Sequence, residues 1–301
     1  MSKKIFVLTI LIVLTLACNF PVARLSKSTP AKASTPAPLV SKPQGQPGKP
    51  VNILVLGSDW RPNAGFRTDV MLFVSINPRR GTVSLISFPR DLWVSIPGEG
   101  MNRINTTQEL GGFNLTAQTF QNNFGIRPDY YIMTTFTGFT SMIDSLGGID
   151  VNAAVKLQDR CDLPQSSNGY CTAGPGIVHM DGKTALWYVR SRYTSSDFDR
   201  TRRTQEVIQA AFVKLLSINA LIKAPALVAA YRSSTETNLT LPALLPLTAT
   251  ALLINLPGHV QHYTIGPDLV TNYVVPGSGA MVLLPHQAAI MELIHKAVNT
   301  P

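Results

Sequence analysis

Acidic side chains are scarce in this chain: 17 Asp and Glu stand against 26 Lys and Arg, for a formal net charge of +9. Charges of both signs together make up only 14% of the residues. That imbalance implies an anionic partner, whether phosphate, nucleic acid or a membrane surface, and does not choose among them. Cysteine is nearly absent, with three in 301 residues and no CxxC or Cys/His cluster, which argues against a zinc site. There is no P-loop and no GxGxxG, so the usual nucleotide-binding loops are missing. Gly277-Ser278-Gly279 is not a GxSxG elbow, which leaves a serine hydrolase little support. His259 and His262 have no accompanying carboxylate, and on a strand their spacing sends them to opposite faces, against metal binding.

What is present begins with an export signature. Lys3 and Lys4 precede a charge-free, mostly apolar run from Ile5 to Ala17. The run is shorter than the ~20 residues that span a hydrocarbon core and matches the apolar segment of a signal instead. It ends at Leu14-Thr15-Leu16-Ala17-Cys18, which resembles a bacterial lipoprotein box with Thr15 in place of the usual Leu. Residues 1–18 are therefore expected to be a signal segment with lipidation at Cys18. An uncleaved signal anchor is the alternative, and both place the chain on the extracytoplasmic face of the cell membrane. Residues 19–50, rich in Pro, Ser and Lys, read as a disordered tether. With Cys18 lipidated, Cys161 and Cys171 remain, ten positions apart, and an exported chain allows a disulfide between them. Export also makes nucleic acid a remote partner, since no nucleic-acid-binding motif accompanies the arginines.

The whole chain is 45% hydrophobic, ample for a core, and from Val51 onward the sequence reads as a folded domain. Val51–Leu56, Val70–Ile76, Thr82–Phe88, Tyr130–Phe136 and His259–Ile265 predict strands. Phe113–Phe124, Phe139–Leu146, Asp199 to about Leu216, and Pro285–Val298 predict helices. Further helical stretches are expected over Ile218–Tyr231 and Leu241–Leu256, broken or kinked at Pro225 and Pro246. Intermixed elements imply a layered α/β domain, and the fold expected is an α-β-α stack around a mixed, largely antiparallel sheet.

The first three strands, the last two joined by Asn77-Pro78-Arg79-Arg80-Gly81, suggest an antiparallel meander. Such a meander brings Asp59, Asp69 and Arg90-Asp91 to one rim, with Arg61 and Arg67 in the loop between the first two. Two carboxylates there suit Mg²⁺, and arginine forks suit phosphate oxygens. Taken singly, Asp59 and Asp69 are as readily explained as turn caps. A second cluster weighs against that. Arg190, Arg192, Arg200, Arg202 and Arg203 put five arginines within fourteen residues. Arg190 and Arg192 would share one side of an extended segment, and Arg200 and Arg203 one face of the helix start. A solvated basic face is the plainer alternative; cations at a helix start oppose the macrodipole unless an anion is bound.

Taken in order, these pieces resemble the LytR-CpsA-Psr family of cell-wall ligases from Val51 to about Leu216. The likeness is carried by Asn52-Ile53-Leu54-Val55-Leu56-Gly57-Ser58-Asp59, Arg67-Thr68-Asp69 and Ser84-Leu85-Ile86-Ser87-Phe88-Pro89-Arg90-Asp91. Arg103-Ile104-Asn105, Asp129-Tyr130-Tyr131 and Leu146-Gly147-Gly148-Ile149-Asp150-Val151 continue it. Leu186-Trp187-Tyr188-Val189-Arg190-Ser191-Arg192 and Asp199-Arg200-Thr201-Arg202-Arg203-Thr204-Gln205 complete it, with Asp199 and Thr204 departing from the common Gly and Gln.

The resemblance implies an Mg²⁺-dependent phosphotransferase that moves a glycopolymer from a polyprenyl-pyrophosphate carrier to a peptidoglycan hydroxyl, forming a phosphodiester. By that likeness Asp59 and Asp69 hold the metal. Arg67, Arg90, Arg190, Arg192, Arg200, Arg203 and Gln205 contact the pyrophosphate, and Arg90, Asp91, Arg190 and Arg192 are catalytic. Asp91 would either orient Arg90 or assist proton removal. A hydrophobic pocket for the polyprenyl tail is also implied. A polyprenyl-pyrophosphate pyrophosphatase and a non-enzymatic lipid-carrier binding protein would use nearly the same residues.

Overall fold

The computed structural model describes residues 49–59, 67–192, 197–215, 235–239, 243 and 258–299. The signal segment with Cys18, the tether up to residue 48, Arg61, and the helices expected over Ile218–Tyr231 and Leu241–Leu256 lie outside the described residues.

The described elements run in the order β1 (Val51–Ser58), β2 (Thr68–Asn77), β3 (Thr82–Ser87), β4 (Trp93–Ile96), β5 (Gly100–Arg103), α1 (Thr107–Phe124), β6 (Tyr130–Thr135), α2 (Phe136–Ser145), β7 (Ile149–Ala153), β8 (Leu157–Arg160), β9 (Tyr170–Ala173), β10 (Gly176–Met180), α3 (Gly182–Arg190), α4 (Asp197–Leu215), β11 (Thr235–Thr237), β12 (Val260–Thr264), β13 (Val270–Val274), β14 (Met281–Pro285) and α5 (Gln287–Asn299). The expected meander is present. β1, β2 and β3 pair antiparallel in sequence, with Leu54 opposite Phe73 and Phe73 opposite Ile86. β6 joins β1 and β12 joins β3, both parallel, while β11 closes the far edge antiparallel to β6. The sheet order is β11-β6-β1-β2-β3-β12, a mixed sheet.

The alternation of side chains along these strands sorts the core onto two faces. Leu54, Leu56, Phe73 and Ile86 pack with Phe120 and Phe124 of α1 and Ile290 and Ile294 of α5. Phe88 meets Phe120 and Phe124 edge-on or tilted, with ring centroids 4.8 and 5.1 Å away. Such pairs add about 0.5–1.5 kcal/mol each beyond their burial. On the other face Ile53, Leu72, Val74 and Leu85 pack with Ile208 of α4. α4 is also the bridge to a smaller core, where Val207 and Ala210 meet Ile149, Val151, Ile143 and Tyr188. One helix thus ties the central sheet to the β7–β10 ribbon and to α2 and α3.

Several boundaries differ from the sequence expectation for local reasons. α1 begins six residues before Phe113, but Gly111 and Gly112 leave helical geometry, with φ of 62° at Gly112. The expected helix is the segment beyond that kink, closed by Gly125 in the left-handed conformation. The apolar run Ala185–Val189 lies inside helix α3, so Arg190 is the last residue of a helix and not part of an extended segment. The shared side inferred for Arg190 and Arg192 from strand alternation therefore does not apply. The short hairpins β4–β5 and β13–β14 and the ribbons β7–β10 and β8–β9 were not anticipated. Cys161 and Cys171 form a disulfide, as expected, across the β8–β9 loop. Closing so short a loop stabilises by about 3 kcal/mol in the chain-entropy account.

Candidate functional site

The rim at the ends of β1, β2 and β3 is built by a slip in register. Gly57 is opposite Val70 but Ser58 is opposite Thr68, so Asp69 is the extra residue of a β-bulge. Bulges re-aim a side chain out of the ladder. Gly57 makes room for this one, since a Cβ there would sit 3.0 Å from Val70 Cβ. Asp69 Oδ1 accepts from Arg90 Nη1 at 2.6 Å. Arg90 Nε donates to Asp91 Oδ2 at 3.3 Å, and Asp91 Oδ1 faces Arg103 Nε at 3.5 Å. Arg103 Nη2 in turn donates to the Met281 carbonyl at 3.0 Å. The result is a row of alternating charge, Asp69, Arg90, Asp91 and Arg103, leading from the central sheet to the β13–β14 hairpin.

This row borders a cavity of about 320 Å³. Asp69, Arg90 and Asp91 form one polar wall, and Arg200, Thr201 and Thr204 of α4 form another. Phe88, Phe198, Val270 and Leu283 supply an apolar side. A space lined by Arg90 and Arg200 together with apolar side chains fits an amphiphilic anion.

The remaining expected residues divide by position. Asp59 and Arg67 close the loop between β1 and β2, with Asp59 N–H donating to Arg67 O at 3.2 Å and Arg67 N–H to Asp59 Oδ1 at 3.3 Å. Arg190 places its guanidinium 4.3 Å from the centre of the Phe136 ring, and Arg192 is exposed just beyond the α3 C-terminus. Arg203 does something different from what its spacing suggested. It is 1% exposed, with Nη1 donating to Tyr188 O at 2.5 Å and Nη2 to Ser191 O at 2.7 Å. The last carbonyls of a helix lack intrahelical partners and favour a cation. Arg203 fills that role for α3, and its burial pushes its pKa below the usual guanidinium value. Arg202 is paired with Glu206 at 2.5 Å, and Glu206 also accepts from the Tyr188 hydroxyl at 2.8 Å.

Gln205 is likewise turned inward. Its Nε2 donates to Ser87 Oγ at 2.7 Å and to Tyr263 O at 2.8 Å, while its Oε1 meets His262 Nδ1 at 3.1 Å. An amide oxygen only accepts, so Nδ1 carries the imidazole hydrogen. Burial lowers the His262 pKa, which favours that neutral ring. Gln205→Leu removes all three of these contacts and is expected to cost about 2–3 kcal/mol, read as a fall in the urea midpoint at constant m. A midpoint equal to wild type would show that this network carries little stability.

The residues fit a hard cation at Asp59 and Asp69. Both are carboxylates at the paired ends of β1 and β2, and the buried Ser58 hydroxyl beside Asp59 has no hydrogen-bond partner among the described residues. Among those residues no three His, Cys, Asp or Glu side chains gather as ligands. A cation here would complete its shell with water and substrate oxygens, the habit of Mg²⁺.

Arg103 was quoted in the sequence as part of a motif but not as a member of the charged row. The hairpin wall was missed altogether, because Val270–Leu284 carries no charge to draw notice. The structure defines a mixed α/β domain with an arginine- and carboxylate-lined cavity at one sheet rim.

A family model for the LytR_cpsA_psr family matches residues 21–291. The chain belongs to that family. Among curated relatives, it is 35% identical over 197 residues to the polyisoprenyl-teichoic acid--peptidoglycan teichoic acid transferase TagU of Oceanobacillus iheyensis, covering 63% of this chain and 59% of that protein. It is 32% identical over 192 residues to the regulatory protein MsrR of Staphylococcus aureus, covering 63% of this chain and 56% of that protein. The match thus spans about six-tenths of the length of these relatives. Among solved structures, B. subtilis TagV is similar with a TM-score of 0.67 and 22% identity, covering 85% of this chain and all of that one, which shows the fold. TagT bound to LIIa-WTA is similar with a TM-score of 0.65 and 25% identity, covering 85% of this chain and 92% of that one.

Proposed function

We propose that this protein transfers a glycopolymer from a polyprenyl-pyrophosphate carrier to peptidoglycan. The observation that carries the proposal is the cavity itself, which Arg90 and Arg200 line together with the apolar Phe88, Phe198, Val270 and Leu283. That combination suits a pyrophosphate joined to a lipid. Relatives named as polyisoprenyl-teichoic acid--peptidoglycan teichoic acid transferases support this choice of donor and acceptor.

In this scheme Arg90 and Arg200 bind the pyrophosphate oxygens and offset charge as the phosphoryl group moves. Asp69 and Asp91 hold Arg90 between them, and both Asp91 oxygens face arginines. That arrangement supports an orienting role for Asp91 over proton removal. Arg67, Arg190 and Arg192 do not line the cavity, and in this scheme they would serve as outer cationic groups. Arg203 and Gln205 act as positioning residues, the first by fixing the Arg190–Arg192 segment and the second by fastening α4 to β3 and β12. Asp59 and Asp69 would hold Mg²⁺, which supplies neutralising charge on the pyrophosphate.

The test is turnover of a synthetic polyprenyl-pyrophosphate glycan with Mg²⁺, with and without peptidoglycan oligomers. Covalent transfer to the oligomer supports the proposal. Cleavage without transfer means a pyrophosphatase, and tight binding without either means a carrier-binding protein.

We also propose that the protein is held at the extracytoplasmic membrane face by a lipid on Cys18. Cys18→Ala is expected to prevent processing, with an intact mass heavier by the uncleaved signal. Equal mass and equal membrane retention in variant and wild type would remove this proposal.

A further inference from the structure

The outer end of the β13–β14 hairpin exposes large apolar side chains beside the cavity. Met281 is 72% exposed, Val274 58% and Tyr273 39%, and Met101 of the neighbouring β5 is 52% exposed. Val274 and Met281 are directly opposite each other in the hairpin, so they share one face. Val270, Asn272 and Leu283 continue that face inward, and they line the cavity. The cavity wall therefore runs out into an uncovered apolar crest. Between Asp268 and His286 no residue carries a charge at neutral pH.

Behind the crest lies Arg103, which is also ion-paired with Asp91 at 3.5 Å. Arg103 donates to the Met281 carbonyl, and the backbone of Leu283 donates to Asp91 O at 3.0 Å, so the hairpin is fixed to the charged row. An apolar edge backed by guanidinium matches the layering of an anionic bilayer, with acyl boundary outside and phosphate just within. Contiguous exposed apolar side chains on a soluble domain mark an interaction site. The crest offers methionine and valine, which have no hydrogen-bond donors for a glycan. Glu99, at the turn of the β4–β5 hairpin, would keep that neighbouring tip in the water layer.

We infer that the β13–β14 hairpin docks its Val274–Met281 edge into the headgroup layer of an anionic phospholipid bilayer, so that the cavity opens onto the membrane surface. The inference deepens the lipid-linked substrate reading and rests on it. A substrate anchored in the bilayer then reaches Arg90 and Arg200 without its lipid crossing open water.

The experiment uses the full chain in its membrane-tethered form, with Cys161 and Cys171 in their disulfide, reconstituted in phosphatidylglycerol–phosphatidylethanolamine vesicles. An environment-sensitive fluorophore is placed at Val274→Cys, and in a second sample at Ile177→Cys, a site that is 78% exposed on β10. Quenching by headgroup-region spin-labelled lipid is expected to be roughly threefold stronger at 274 than at 177. It should require the anionic lipid, and Met281→Asp should abolish it without lowering the melting temperature. Equal quenching at both sites, with equal access to aqueous iodide, would overturn the inference. So would shielding of 274 that appears without vesicles, either on adding peptidoglycan oligomers or on raising protein concentration, since each names another occupant. Because the readout is depth and not turnover, a failure of the transferase reading leaves a distinct signature: shielding at 274 with no glycan transfer.

Discussion

Asp69→Ala is expected to lower glycan transfer at least about a hundredfold, the scale on which loss of one preorganised charge-stabilising group acts. Three effects converge on this carboxylate. Its Oδ1 holds Arg90 Nη1 at 2.6 Å, and without it the guanidinium is retained only by Asp91. It is one of the two carboxylates assigned to the cation, and its place in the bulge directs it out of the ladder. The fold should be little affected, because the side chain is partly exposed and the bulge is backbone. Asp69→Asn tests the charge alone and should lose nearly as much. Transfer at the wild-type rate in either variant, with an unchanged melting curve, would remove Asp69 from the site.

Arg203→Ala should act in the opposite way, through stability first. Substitution removes the donors that Arg203 gives to the carbonyls of Tyr188 and Ser191 and opens a void where the guanidinium sat. The expected loss is about 3–5 kcal/mol, equivalent to a melting temperature lower by roughly 10 °C for a domain of this size. Arg203→Lys keeps the charge but lacks the fork, and should recover only part of the loss. A phosphate ligand with no structural task would instead leave the melting temperature unchanged while raising the substrate concentration needed for turnover. Calorimetry beside transfer assays separates the two.

The central sheet was legible because its strands carry strong local signals. Val51–Leu56 and Thr82–Phe88 are apolar, β-branched and bounded by turn residues, and a tight turn at Asn77–Gly81 makes the meander nearly unavoidable. The rim residues Asp69, Arg90 and Asp91 followed from that topology alone. What periodicity could not reveal was the state of Ala185–Val189, since a short apolar run fits a strand or one helical face equally. For that reason the extended segment expected at Arg190 and Arg192 proves to be a helix C-terminus. Arg203 and Gln205 have the composition of ligands, and only the three-dimensional course of α4 shows their donors spent on carbonyls and a hydroxyl. The β13–β14 hairpin was invisible for a further reason: a cavity wall made of uncharged residues has no chemical marker in sequence.

The place of β12 in the sheet has a consequence for biosynthesis. Val260–Thr264 pairs parallel with Thr82–Ser87, so this edge of β3 waits for its partner until synthesis has passed residue 264. Through that interval an apolar strand with free N–H and C=O groups is open to wrong partners. Chains interrupted before residue 260 should be captured by proteases or aggregate, while a chain that carries β12 seals this adhesive edge itself.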